Sequence, residues 1–172
     1  MRPTPSLSMP TLLCSRLLAC ALAVFAFACG GAGSAWAHHD PVPRIRQPKP
    51  TLGQRAAALA VREVGVPYRW GGTSPAGGFD CSGLVYWAYG RLGVEVPHSS
   101  YALYDIGRRV ARSRMKAGDL LFFYGLGHVG IYIGHGRMVH APHTGADVQV
   151  VSLRGSYGRS LMGVRRIARR AR

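Results

Sequence analysis

The apolar positions of this chain change their period twice, and the changes divide it into three parts. Leu17 to Cys29 is an unbroken apolar run without charge, led by Arg2 and Arg16 and followed by small residues ending in Ala35-Trp36-Ala37. A basic start, a short apolar core and an A-x-A ending make a secretory signal. Residues 1–37 are therefore expected to be removed, leaving His38 as the mature start. The run is shorter than the ~20 residues that a spanning helix needs. Residues 38–51 alternate Pro41, Pro43, Pro48 and Pro50 with Arg44, Arg46 and Lys49. Such a segment has no apolar face to bury and reads as a disordered or polyproline II-like linker.

Helical periodicity begins in the third part, residues 52–172, which is the candidate domain. From Gln54 to Val64 the spacing is helical, with Ala57, Val61 and Val64 on one face, and Gly65 and Pro67 stop it. Thr73 to Gly78, with Pro75, Gly77 and Gly78, reads as a loop. Cys81 to Leu92 predicts a second helix with Leu84, Val85, Ala88 and Leu92 as its apolar face, ended by Gly93. Ser99 to Ile106 predicts a short third helix capped by Ser99 or Ser100. The period then shortens. Asp119–Tyr124, His128–Ile133, Arg137–Ala141, Val148–Leu153 and Leu161–Ile167 are short apolar runs separated by glycines, and read as strands. Helices first and strands after predict an α+β domain, with N-terminal helices packed on a small antiparallel β-sheet.

Charge narrows the partners. The chain of 172 residues has a formal net charge of +15; loss of Arg2 and Arg16 leaves 20 Lys+Arg against 7 Asp+Glu, or +13. A basic surface suits nucleic acid, anionic lipid or an anionic cell wall. Export argues against nucleic acid, and no zinc-finger spacing or aromatic-interleaved basic motif is present. The expected location is the periplasm or the cell exterior, and no stable membrane span is expected in the mature form. A lipid anchor fits less well, because Ala26-Phe27-Ala28 before Cys29 lacks the Leu usual three residues ahead of a lipidated cysteine. Of the four cysteines, Cys14, Cys20 and Cys29 lie in the signal, so Cys81 stands alone and no internal disulfide is available. An idle exposed thiol outside the cytoplasm is a liability.

Cys81 sits where a helix starts, after glycines. A thiol reacts as its thiolate, and a helix N-terminus or a nearby histidine lowers its pKa from about 8.5. The N–H groups of Ser82, Gly83 and Leu84 are expected to face the sulfur, and the Cys81 N–H to serve an oxyanion. Gly83 is expected to clear room for substrate. His128 opens a strand of small and apolar residues and is the candidate base. His140, in Met138-Val139-His140-Ala141-Pro142, is the candidate third group that orients it. One geometric condition applies. A tight two-residue turn at His135-Gly136 pairs Gly134 with Arg137 and sets His140 opposite Ile131, on the face away from His128. A shared face requires an odd loop or a bulge. No metal site is expected: His128, His140 and His143 with Cys81 match no standard structural zinc spacing, and His38-His39-Asp40 lies in a flexible segment. No cofactor is implied. Trp70, Trp87 and Tyr89 are candidate walls of a sugar groove, although core packing is the commoner role for such residues.

Pro67-Tyr68-Arg69-Trp70-Gly71-Gly72, Phe79-Asp80-Cys81-Ser82-Gly83-Leu84-Val85, Gly118-Asp119-Leu120-Leu121-Phe122-Phe123 and His128-Val129-Gly130-Ile131-Tyr132-Ile133-Gly134 together resemble the NlpC/P60 family of papain-like cysteine peptidases, which cut bacterial cell-wall peptides. The resemblance runs from about Leu52 to Ile167 and implies a papain-like NlpC/P60 fold. It implies Cys81 as nucleophile, His128 as base and His140 as third polar member. It also implies Tyr68 as a residue that polarises the scissile carbonyl, and Asp80 and Ser82 as residues recognising the substrate's free amine and nearby backbone. Two positions depart from the family: His98 stands where Arg is common, and Leu103 where Gln is common. The expectation is an exported cysteine endopeptidase hydrolysing amide bonds in peptidoglycan stem peptides through a thioester. A CHAP-like amidase or acyltransferase of the same architecture is disfavoured by the Asp80-Cys81-Ser82-Gly83 wording. A non-catalytic wall-binding module is disfavoured by the joint presence of Cys81, His128 and His140.

Overall fold

The computed structural model describes residues 48–168. The signal, most of the linker and the end of the basic tail lie outside the described residues. Helix α1 (Leu52–Arg62) starts at a capping box: the Thr51 hydroxyl accepts from the Gln54 N–H, and the Gln54 side chain accepts from the Thr51 N–H at 2.8 Å. Its buried face is Ala56, Ala57 and Ala60, while Val61 is 37 % and Val64 49 % exposed. The expected Ala57-Val61-Val64 face is therefore corrected. The alanines have no long side chain to hold α1 away from its neighbours.

Strands β1 (Thr73–Ser74) and β2 (Gly78–Phe79) form a small antiparallel hairpin within and beside the segment read as loop. Two-residue strands are too short to carry an alternation. Helix α2 (Cys81–Gly90) ends two residues earlier than its apolar pattern, and α3 (Ser100–Asp105) is capped by Ser99. Next come β3 (Arg108–Arg109), a 3-10 turn (Arg112–Arg114), β4 (Leu120–Phe123), β5 (His128–Gly134), β6 (Arg137–His140), β7 (Gln149–Ser152), α4 (Ser156–Ser160) and β8 (Leu161–Arg166). The sheet is antiparallel in the order β3-β8-β4-β5-β6-β7. The sequence pattern did not reveal β3, the 3-10 turn or α4, all short and polar.

All four residues of β4 are buried because the sheet is covered on both faces. Leu120 and Phe122 join Val129, Ile131 and Val139 in the cluster with α1 and α2. Leu121 and Phe123 join Met138, Leu153 and Val164 on the other face, where Val110, Met115 and Tyr157 close over them. A strand buried on both faces reads as a continuous apolar run. The observed arrangement is the α+β architecture expected from the order of helices and strands.

Gly83 has a different purpose from the one its position suggested. A Cβ there would collide with the Gly72 carbonyl oxygen. The glycine lets the 71–72 loop lie directly on the first turn of α2, so it serves packing as the structure stands. Gly90, at the end of the same helix, has open space around it. Gly83→Ala is expected to lower Tm by about 5 °C or more, as overpacking costs ~1–3 kcal/mol. Gly90→Ala is expected to leave Tm unchanged or raise it, since alanine is the better helix former by ~0.5–1 kcal/mol. Scanning calorimetry of the two variants checks both.

Candidate active site

Asp80 caps α2. Its Oδ1 accepts from the Gly83 N–H at 2.7 Å and from the Ser82 hydroxyl at 3.0 Å, and its Oδ2 accepts from the Gly71 N–H at 2.9 Å. His98 Nε2 lies 3.0 Å from both oxygens. Burial opposes the charged carboxylate, but the Gly83 N–H, His98 and Ser82 outweigh it, and the Asp80 pKa is lowered. The carboxylate thus ties a loop, a helix start and the 98 segment together, with Cys81 as the next residue. His98 was visible in the sequence only as a departure from the family pattern. In space its Nε2 meets both oxygens of Asp80. Leu103, the second departure, is fully buried in the core.

The expected bulge is present. The turn pairs Gly134 with Arg137, as a two-residue hairpin requires, but the register then shifts, so that Tyr132 faces Met138 and Ile131 faces Val139. Ile133 is the extra residue. The shift puts His140 on the face of His128, and a Cβ on Gly130 would sit 3.3 Å from the His140 Cβ. His128 Nε2 and His140 Nδ1 are 2.8 Å apart, and both side chains are buried. The His140 ring stands edge-on to Tyr157, with centroids 5.2 Å apart.

Cys81 approaches from the helix side. No hydrogen bond joins it to His128 among the described residues. Its thiolate would instead be favoured by the N–H of Val129, the residue after His128, and by the N–H groups of Ser82 and Cys81 itself. The sulfur therefore abuts the end of β5 that carries the histidine, and Nε2 being engaged by His140 leaves His128 Nδ1 for it. Catalytic contacts of this kind are often long without substrate. Tyr68 bridges to Phe79, and its neighbour Pro67 bridges to Asp147. Burial raises the Tyr68 pKa, and the charges of Cys81 and Asp80 add to the shift. Ser82 is buried, with its hydroxyl turned to Asp80. Of the three aromatics considered for a sugar groove, Tyr89 is fully buried and Trp87 packs edge-on against Phe79. Trp70 alone is open, at 89 % exposure. No group of three or more metal-ligating side chains occurs among the described residues.

The sequence profile of the NlpC/P60 family matches residues 65–166, which spans every residue of this site. The chain belongs to the NlpC/P60 family. Among its relatives, a protein of Mycobacterium tuberculosis named as a probable endopeptidase is 50 % identical over 113 residues, covering 64 % of this chain and 29 % of the relative. Murein DD-endopeptidase MepH of Escherichia coli is 41 % identical over 127 residues, covering 66 % of this chain and 47 % of MepH. The chain thus spans less than half the length of these relatives. The crystal structure of the NlpC/p60 domain of peptidoglycan hydrolase SagA superposes with a TM-score of 0.60 at 34 % identity, over 67 % of this chain and 98 % of that domain.

The electrostatics of this NlpC/P60 site correct one expectation. Burial pushes the Cys81 thiol up, and the Val129 N–H only partly offsets it; the Asp80 charge raises it further. Burial holds His128 at about 4 and His140 at about 3, with neighbouring histidines adding to both shifts. Burial thus favours the neutral thiol and the neutral imidazole, because desolvation outweighs the amide dipoles at the helix start. Alkylation of Cys81 by iodoacetamide in the folded protein is expected to accelerate only as pH rises past the ordinary thiol value of about 8.5. An inflection below pH 7 in the alkylation profile would mean a thiolate–imidazolium pair at rest.

Proposed function

We propose that this protein is an exported cysteine endopeptidase that hydrolyses amide bonds in peptidoglycan stem peptides. The observation that carries the reading is the buried 2.8 Å contact between His128 Nε2 and His140 Nδ1, at the strand end abutted by the helix start of Cys81. The names of the relatives, endopeptidases of the bacterial wall among them, support the substrate class. The signal pattern in residues 1–37 supports export, and the net positive charge suits an anionic wall.

The chemistry runs through His128 Nδ1. It accepts the Cys81 proton as the sulfur attacks the scissile carbonyl carbon. Negative charge gathers on the carbonyl oxygen, where the Cys81 N–H and the Tyr68 hydroxyl are the donors. The C–N bond then breaks, and the leaving amine takes the proton from His128. The remaining acyl group is a thioester on Cys81. Water, deprotonated by His128, attacks that thioester; the C–S bond breaks and the proton returns to the sulfur. His140 accepts from His128 Nε2–H throughout, which keeps the lone pair on Nδ1. Asp80 and Ser82 hold the nucleophile's helix turn and border the position of the substrate's free amine.

Digestion of purified wall, followed by mass spectrometry of the new amine and carboxyl ends, tests the reading. New ends within the stem peptide are expected; release of intact peptide from the glycan would make the protein an amidase. Cys81→Ala is expected to abolish turnover, and His140→Ala to lower kcat by about 10²-fold or more with the fold retained. A second measurement is the acid limb of kcat/KM. With His128 at about 4, the free base survives well below the ordinary histidine value of 6.5, so the limb is expected near pH 4. Stability follows the same sign. Between about 6.5 and about 4 the unfolded chain binds protons that native His128 does not, so stability falls as pH drops through that window. An acid limb at 6.5 or above would contradict a buried neutral base.

A further inference from the structure

At the β3 edge of the sheet a cleft of about 460 Å³ is lined by Arg108, Arg109, Arg114, Lys116 and Arg166, with no acidic residue in its wall. Arg166 is already paired: its guanidinium meets both Asp119 oxygens at 2.6 Å. Arg108, Arg109, Arg114 and Lys116 are exposed, and their side chains have no hydrogen-bond or ion-pair partner among the described residues. The arginines nearby are used differently. Arg112 donates to the Gly158 carbonyl, and Arg165 donates to the Tyr104 carbonyl while lying over its ring. The Arg166–Asp119 pair and the backbone bonds of Arg114 and Lys116 to that pair hold the cleft's floor in place.

Four like charges set around one concavity repel one another unless an anion spans them. β3 pairs only with β8, at the far edge of the sheet from β6 and β7. The cleft therefore stands apart from the Cys81 site, and the proposed chemistry has no use for it. We propose that this cleft binds a linear phosphodiester polymer of the cell envelope and so docks the protein on the wall. The inference rests on the proposed reading as a wall hydrolase for its choice of polymer. Three of the four free cations are arginines, whose planar forks fit phosphate oxygens two at a time. Their distribution along a groove suits a chain with repeated charge better than a single anion, and a concave surface suits a chain better than a planar bilayer.

The test uses the full chain carrying Cys81→Ala, so that binding is read without hydrolysis. Its co-sedimentation is measured with native wall and with wall stripped of phosphodiester polymer by hydrofluoric acid. Binding to native wall is expected to be at least tenfold tighter than to stripped wall. It should weaken by roughly 50-fold or more between 50 and 200 mM salt, as displacement of counterions from about four phosphates requires. Combined Arg108→Gln, Arg109→Gln, Arg114→Gln and Lys116→Gln should abolish the difference between the two walls. In the Cys81-containing chain the same four changes should leave turnover of a soluble muropeptide unchanged. Equal binding to both walls, unchanged binding by the fourfold variant, or tighter binding to phosphatidylglycerol vesicles than to wall would overturn the proposal. Failure of the hydrolase reading would appear separately, as absent turnover of the soluble muropeptide by the unaltered chain.

Discussion

The Asp80 carboxylate is the contact on which the geometry of this domain turns. A helix start leaves backbone N–H groups without partners, and the residue before Cys81 fills that need with a charge. The same two oxygens also reach Gly71, Ser82 and His98. A single buried anion thereby fixes the rotation of the first turn of α2, the path of the 67–72 segment and the position of the 98 segment. Cys81, one residue on, inherits its orientation from all three. The close approach at Gly83 belongs to the same arrangement, because Gly71 cannot reach Asp80 unless Gly72 lies against the helix.

The second constraint is the bulge at Ile133. One extra residue in β5 changes the parity of everything downstream in β6, and with it the face on which His140 appears. Gly130 keeps the opposing position clear. The result is a buried histidine pair, and that burial lowers the pKa of both rings. Burial disfavours the charged forms of both rings and of the thiol. A neutral base with a low pKa is the weaker base, yet it stays unprotonated over a wide range of pH.

The basic residues fall into two groups that the sequence does not distinguish. Arg112, Arg165 and Arg166 are engaged within the domain, each on a carbonyl, a ring or Asp119. Arg108, Arg109, Arg114 and Lys116 face solvent around one cleft. Formal charge alone overstates the number of free cations, since part of it is engaged with Gly158, Tyr104 and Asp119.

The order of helices and strands, the α+β class and the place of Cys81 at a helix start were legible in the chain, because each depends on local periodicity or on a short motif. The need for a bulge was legible too, since it follows from counting residues through a hairpin. The buried face of α1 was not. Ala57, Val61 and Val64 share a helical stripe, but Ala56 and Ala60 fit the narrower space against α2 and β5, and which stripe turns inward is settled by what lies opposite. The roles of Gly83 and His98 were hidden for the same reason: their partners, Gly72 and Asp80, lie 11 and 18 residues away. The thiol's shift was hidden as well. A helix start and a neighbouring histidine are local features that favour the thiolate, whereas desolvation depends on the whole shell of side chains that folding brings around the sulfur. The sequence by itself determined which groups were present and how the chain alternates; tertiary structure decided which of them meet, and at what cost in water.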